Sequence, residues 1–222
     1  MFSFFKQFKY FWIGFLILSL IIIFIFYAIL KPKKVLPIYQ PSTVNFEMVD
    51  SSMQHIKKYH TISNFSLTNQ NGKTVTQEDY ANKIYVADFF FTTCQSICPI
   101  MTDHMVQIQN QLIDDDDVLL LSHSVTPKID SVAQLKKYAL EQGVLDIKWN
   151  LVTGDKKEIY ELARKSYMAV KTDGNGDAYD MIHTENFMLI DKKRQIRGYY
   201  DGTKPEEIQR LLEDIKILKQ EE

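Results

Sequence analysis

The apolar residues of the chain fall into blocks of different period. Residues 11–30 hold no charge, no proline and one glycine, Gly14. Twenty such residues rise about 30 Å as a helix, which matches the core of a bilayer. Tyr10, Trp12 and Tyr27 stand towards the rims, where aromatic rings suit the membrane interface. The run is long for the apolar part of a signal peptide, and no small-x-small site follows it before Lys31, so it reads as an uncleaved anchor. Pro32, Pro37 and Pro41 mark an extended spacer. Residues 42–60 carry a weak pattern that fits either an ordered lead-in or a tether. From about Thr61 the pattern becomes that of a folded domain. Residues 62–67 and 73–76 flank Asn69-Gln70-Asn71-Gly72, a hairpin signal. Residues 84–91 are apolar, aromatic and β-branched, broken only by Asp88, and 118–125 form a similar run; both read as buried strands. Residues 99–113 place apolar side chains at helical spacing. Asp130 or Ser131 caps a helix that ends at Gly143. A short strand at 149–152 precedes a helix capped by Asp155 and running to about Tyr167. Residues 187–190 and 195–200 form a hairpin around Asp191-Lys192-Lys193-Arg194, and Pro205 sits in the first turn of a last helix.

Strand–helix–strand–helix followed by a hairpin and a helix implies parallel strands joined by crossovers and closed by an antiparallel pair. The predicted class is therefore α/β: a central mixed sheet flanked by helices, in the order of the thioredoxin-like fold, behind an N-terminal transmembrane helix. The segments are 1–10, an anchor at 11–30, a linker and lead-in at 31–60, and the domain at 61–222. A length of 222 residues suits one domain plus an extra segment. The mean hydropathy of −0.19 excludes a polytopic membrane protein. The net charge of −2, from 26 basic and 28 acidic residues, offers no broad cationic surface for nucleic acid. No cysteine ends the apolar run, which argues against a lipoprotein. No arginine precedes Arg164, which argues against mitochondrial targeting and for a bacterial membrane. Lys6 and Lys9 precede the run while Lys31, Lys33 and Lys34 follow it, so charge does not orient it.

There are 2 cysteines, which excludes a multi-bridge disulfide scaffold and a four-cysteine zinc site. Both lie where the first buried strand meets its helix, in Thr93-Cys94-Gln95-Ser96-Ile97-Cys98-Pro99. The helix N-terminus favours thiolates there. Two adjacent thiolates can form a disulfide or hold a soft metal. Two cysteines are too few for zinc, whereas cuprous copper accepts two thiolates and one imidazole. Of the 5 histidines, His55 and His60 precede the domain and are expected to be exposed. His104 lies on another face of the cysteine helix. His123 ends the second strand, on the cysteine edge of the sheet, and is the weaker candidate against a packing role. His183 precedes the hairpin strand, in the loop that faces the active-site helix in thioredoxin-like folds. Thioredoxins place a proline in that loop; this chain has none between Pro127 and Pro205. His183 is the preferred third ligand.

Taken together, these residues resemble the Sco/SenC family, membrane-anchored copper chaperones for cytochrome c oxidase assembly. The resemblance rests on the anchor, the 65–76 hairpin, the Cys94-Gln95-Ser96-Ile97-Cys98-Pro99 motif, Trp149 with Leu151-Val152-Thr153-Gly154, and His183-Thr184 before a strand ending Leu189-Ile190-Asp191. It implies that Cys94, Cys98 and His183 bind one copper ion, Cu(I) with Cu(II) also to be considered. It implies delivery to the copper-bearing subunit of cytochrome c oxidase, with other copper carriers as further partners. It also implies a single-pass protein of the bacterial inner (plasma) membrane, with residues 1–10 cytoplasmic and the domain facing the periplasm or cell exterior. This would be a metallochaperone rather than an enzyme with turnover. The alternative is a tethered thiol–disulfide reductase in which Cys94 and Cys98 form the redox pair. A peroxidase fits less well, because no Pro-x-x-x-Thr-x-x-Cys pattern precedes Cys94. The family carries Asp-Pro-x-x-Asp after the second strand; here it is Thr126-Pro127-Lys128-Ile129-Asp130, so one carboxylate is lost and Asp130 reads most simply as a helix cap.

Three further features carry less. Asp173-Gly174-Asn175-Gly176-Asp177 opens like a calcium loop, but Ala178 and Thr184 stand where glycine and glutamate are required, so it reads as a mobile turn. Met101 and Met105 suit a helical core better than a copper relay. Asp114-Asp115-Asp116-Asp117 reads as a solvated loop.

Overall fold

The computed structural model describes residues 8–30, 34–170, 182 and 184–221. Helix α1 (Lys9–Leu30) belongs to a unit of its own that ends at Val35, and a second unit begins at Leu36. Among the described residues α1 is the one helix long and apolar enough to cross a membrane.

The second unit is built on a seven-stranded sheet, formed by β1 (Ser66–Asn69), β2 (Thr74–Thr76), β3 (Ile84–Phe90), β4 (Val118–Ser124), β5 (Trp149–Thr153), β6 (Asn186–Ile190) and β7 (Ile196–Asp201) in the spatial order β2-β1-β5-β4-β3-β6-β7. Strands β3, β4 and β5 are parallel; β1 joins β5, β6 joins β3, and the outer strands join these, all antiparallel. All seven residues of β3 are buried, because both faces of the sheet are covered.

The helices are α2 (Cys98–Gln111), α3 (Val132–Gln142), α4 (Lys156–Glu161) and α5 (Pro205–Glu221). Two crossovers in one direction, β3 to β4 and β4 to β5, put α2 and α3 on the same face, as the right-handed rule requires. There Met101, Met105, Ile108, Leu135 and Ala139 pack with Leu211 and Ile215 of α5 on Val86, Phe90, Leu120 and Leu151. After β5 the chain reverses past β3, and Ile159, Tyr160 and Ala163 pack on the opposite face against Tyr85, Phe89, Leu121 and Val152. The order of the strands therefore changes sense beside the carboxyl end of β3, the usual place for a ligand crevice in such sheets.

The turn and cap signals hold, although the first strand begins at Ser66 rather than at Ile62. Gly72 (φ 72°) closes the first hairpin, with Asn69 Oδ1 accepting from Asn71 N and Lys73 N. Ser131, rather than Asp130, caps α3, and Gly143 (φ 73°) ends it. Asp155 caps α4, which continues as a π-helical turn over Leu162–Ser166.

The sequence pattern starts the domain near Thr61, but packing starts it at Leu36. Leu36 and Val49 are buried. Arg197, itself buried, donates to the carbonyls of Leu36 (2.8 Å) and Pro37 (3.1 Å) and pairs with Asp191 (3.1 Å) and Glu221. His60 was expected to be exposed; it is buried, with Nε2 2.7 Å from the Ser166 carbonyl and its backbone N–H bonded to Gln40.

Candidate metal centre

Strand β3 ends at Phe90, and the chain turns through residues 91–97 into α2. Cys98 is the first residue of α2 and is buried; Cys94, in the turn, is half-buried. Ile97 caps α2 without a side-chain bond and Pro99 occupies the first turn, and the backbone N–H groups of Ser96 and Cys98 bond the Cys94 sulfur. The two thiols have opposite character. Burial raises the Cys94 pKa, but bonds from the Cys98 thiol and from the N–H groups of Ser96 and Cys98 outweigh it, and the group falls from 9.0 to about 7. Ser96 Oγ lies 3.6 Å from its sulfur. Burial and the adjacent Cys94 sulfur push Cys98 up to about 12. The outer thiol ionises the more readily, and the inner one keeps its proton at neutral pH.

Two buried carboxyls flank the pair. Asp88, on the Cys98 face of β3, is 3% exposed. Burial lifts its pKa from 3.8 to about 7, although a hydrogen bond from Ser122 lowers it; its Oδ1 has no partner. Ser122 in turn accepts from Trp149 Nε1 at 2.8 Å. The sequence marked Asp88 only as a break in an apolar run, and that break was the available signal.

Asp130 is fully buried. It accepts from Thr92 Oγ1 (2.6 Å), Thr92 N (3.3 Å), Ser124 Oγ (2.5 Å) and Thr126 Oγ1 (2.9 Å). The expectation that it caps a helix is corrected: it braces the cysteine turn, and Thr126, which replaces the family's first aspartate, supplies it with a donor.

Candidates other than the cysteines separate as follows. His123 is fully buried on the opposite face of the sheet from Cys98, stacked on Phe89 at 4.8 Å, with Nδ1 3.2 Å from the Asp88 carbonyl. It is a packed core histidine. His104 Nδ1 is 2.7 Å from the Gly202 carbonyl, and His55 is exposed. Met101 and Met105 are core residues. His183 lies outside the described residues, as does the 173–177 turn. Its neighbours Ile182 and Thr184 are buried, and Thr184 Oγ1 donates to the Ala169 carbonyl at 2.9 Å. Strand β6 runs antiparallel to β3, with Met188 opposite Ala87, so its first residues lie towards the cysteine end of β3. Among the described residues no three His, Cys, Asp or Glu side chains group closely enough to hold a metal.

The SCO1/SenC family model matches residues 53–220. The SCO1 protein homolog of Bacillus subtilis is 33% identical over 159 residues, 71% of this chain and 82% of that protein. The human mitochondrial SCO1 homolog is 27% identical over 157 residues, 68% of this chain but only 51% of that longer protein. Among solved structures, a SCO1/SenC family lipoprotein from Bacillus anthracis superposes with a TM-score of 0.63 at 31% identity, covering 72% of this chain and 95% of that one. BsSco, a cytochrome c oxidase assembly protein with a disulfide switch, gives 0.61 at 33% identity, covering 72% and 93%. Copper-bound ScoI of Arabidopsis thaliana gives 0.56 at 27% identity, covering 71% and 98%. The fold is thioredoxin-like, and the chain belongs to the SCO1/SenC family.

Proposed function

We propose that this chain is a membrane-anchored copper chaperone of cytochrome c oxidase assembly. Copper is its cargo, held by Cys94, Cys98 and His183 and passed to the copper-bearing subunit of the oxidase. The observation that carries the reading is the position of the chain's only two thiols at the carboxyl end of β3, the end towards which the first residues of β6 lie. Two thiolates and an imidazole suit cuprous copper, and the copper-bound relatives support the same cargo. When copper binds, Cys98 gives up its proton and Cys94 is already partly a thiolate at neutral pH. The apolar run at residues 11–30 would span a bacterial inner membrane with the domain outside the cytoplasm.

The test compares copper affinity in the detergent-solubilised full chain. His183→Ala should bind copper at least tenfold more weakly, the lower end of losses seen even for indirect supports of metal ligands, and should still form the Cys94–Cys98 disulfide. His123→Ala should bind as wild type does. Wild-type affinity in His183→Ala would remove the third ligand and this reading with it.

A second reading has its own support. An accessible thiol of lowered pKa beside a buried protonated one is the arrangement of an attacking and a resolving thiol. On that reading the chain keeps oxidase cysteines reduced. Reduction of an oxidase-derived disulfide by His183→Ala at the wild-type rate, together with unchanged copper binding, would favour it.

A further inference from the structure

Cys94 lies between two points of different firmness. On one side Cys98 is fixed as the first residue of α2. On the other, residues 91–93 have left β3 and lie outside the strand ladder; Phe91 packs on the core and its backbone bonds the Cys98 sulfur, and Cys94 N donates to the Phe91 carbonyl at 3.3 Å. Thr92 supplies the side-chain anchor on that side. Its hydroxyl donates to Asp130 Oδ1 at 2.6 Å and accepts from Gln134 Nε2 at 3.0 Å, and its backbone N–H points to Asp130 Oδ2. The same carboxylate takes the hydroxyls of Ser124 and Thr126, which end β4 and begin the loop to α3. One buried side chain thus ties the cysteine turn to β4 and α3.

The donor set matches a carboxylate. Four donors converge on two oxygens, and the Thr92 hydroxyl has its direction fixed by the Gln134 donor. An amide has one acceptor oxygen and one donor nitrogen. An asparagine would put an NH₂ in place of one of those oxygens, so at least one of the four donors would lose its acceptor.

We propose that Asp130 is a positioning residue for the cysteine pair: by fixing Thr92 it holds Cys94 beside Cys98 and so sets the balance between dithiol and disulfide. The inference rests on the cysteine pair being the working centre. Oxidation joins the two sulfurs, and two electrons and two protons pass to glutathione disulfide, giving two glutathiones. Releasing Thr92 lengthens the mobile stretch ahead of Cys94 and lowers its effective concentration at Cys98. The disulfide then forms less readily.

The experiment equilibrates the metal-free full chain in detergent with glutathione buffers and measures the oxidised fraction by thiol trapping and mass. Thr92→Val, which keeps the shape and removes the hydroxyl, should lower the equilibrium constant about tenfold, equivalent to about 30 mV. Asp130→Asn should do at least as much. Thr92→Ser should restore the constant to within about twofold, and Thr126→Val, which removes a donor outside the cysteine turn, should change it by less than about threefold. Thr92→Val and Thr92→Ser carry the test if Asp130→Asn does not fold. An unchanged constant in Thr92→Val overturns the proposal. So does an equal loss in Thr92→Ser or Thr126→Val, which would mark a general weakening of the fold. Failure of the copper reading is separate, since it shows in the affinity of His183→Ala and not in this metal-free equilibrium. If the wild type forms no Cys94–Cys98 disulfide at all, the shared premise falls.

Discussion

Replacing Asp88 by asparagine should stabilise the domain at neutral pH. The carboxyl is 3% exposed, its Oδ1 has no partner, and burial raises its pKa from 3.8 to about 7. In the unfolded chain the group loses its proton near pH 4, whereas in the folded domain it keeps it to about pH 7. Stability from the protonated carboxyl is therefore complete below about pH 4 and is lost as pH rises towards 7. A gap of about three pH units corresponds to at most about 4 kcal/mol. Asparagine keeps the shape and stays neutral throughout. Relative to wild type, Asp88→Asn should gain about 2–4 kcal/mol at pH 8 and lie within about 1 kcal/mol at pH 4. His123 acts with the opposite sign: burial lowers its pKa from 6.5 to about 4, so it costs stability as pH falls through that range. Comparing variant and wild type at each pH cancels that contribution. Urea unfolding of the chain from Leu36 onward, with thiols reduced and metal absent, at pH 4 to 8, measures the difference. Parallel stability profiles for the two proteins would refute the reasoning.

The sheet was legible because its central strands are buried on both faces and therefore read as unbroken apolar runs. The α2 and α3 helices were legible through period and caps. The lead-in was not. Leu36, Val49 and Gln40 are single buried residues with no period, and their partners lie far along the chain: Arg197 for the Leu36 carbonyl and His60 for Gln40. The π-helical turn at Leu162–Ser166 was missed because one extra residue per turn barely disturbs a helical pattern. At the site, the cysteines declared themselves by number and spacing, whereas Asp130 did not. A buried acceptor of four donors and a helix cap look alike in sequence, since both are an aspartate before a helix. Only the folded chain brings Thr92 and Ser124 to one carboxylate. His123 was placed at the correct strand end, but the side of the sheet it faces separates it from Cys98.

Two further outcomes follow from the same geometry. Iodoacetamide should modify Cys94 with a half-maximal rate near pH 7 and leave Cys98 largely unmodified below pH 9, as read by peptide mass; equal labelling of both would contradict the assigned asymmetry. Arg197→Leu should destabilise the domain by about 3–5 kcal/mol, measured by urea unfolding, because a buried pair broken on one side leaves a charge without compensation. Here Asp191 is 2% exposed and would lose its guanidinium, although the N–H groups of Lys193 and Gln195 still reach its other oxygen. The same change removes the donor from the carbonyls of Leu36 and Pro37 and from Glu221 Oε2, while Glu221 Oε1 still accepts from Leu36 N. Hydrogen exchange should then rise first at Leu36–Gln40 and at the last turn of α5, while the β3 and β4 amides stay protected. Uniform loss of protection would mean that Arg197 supports the whole sheet and not the contact between Leu36–Gln40 and the end of α5 alone.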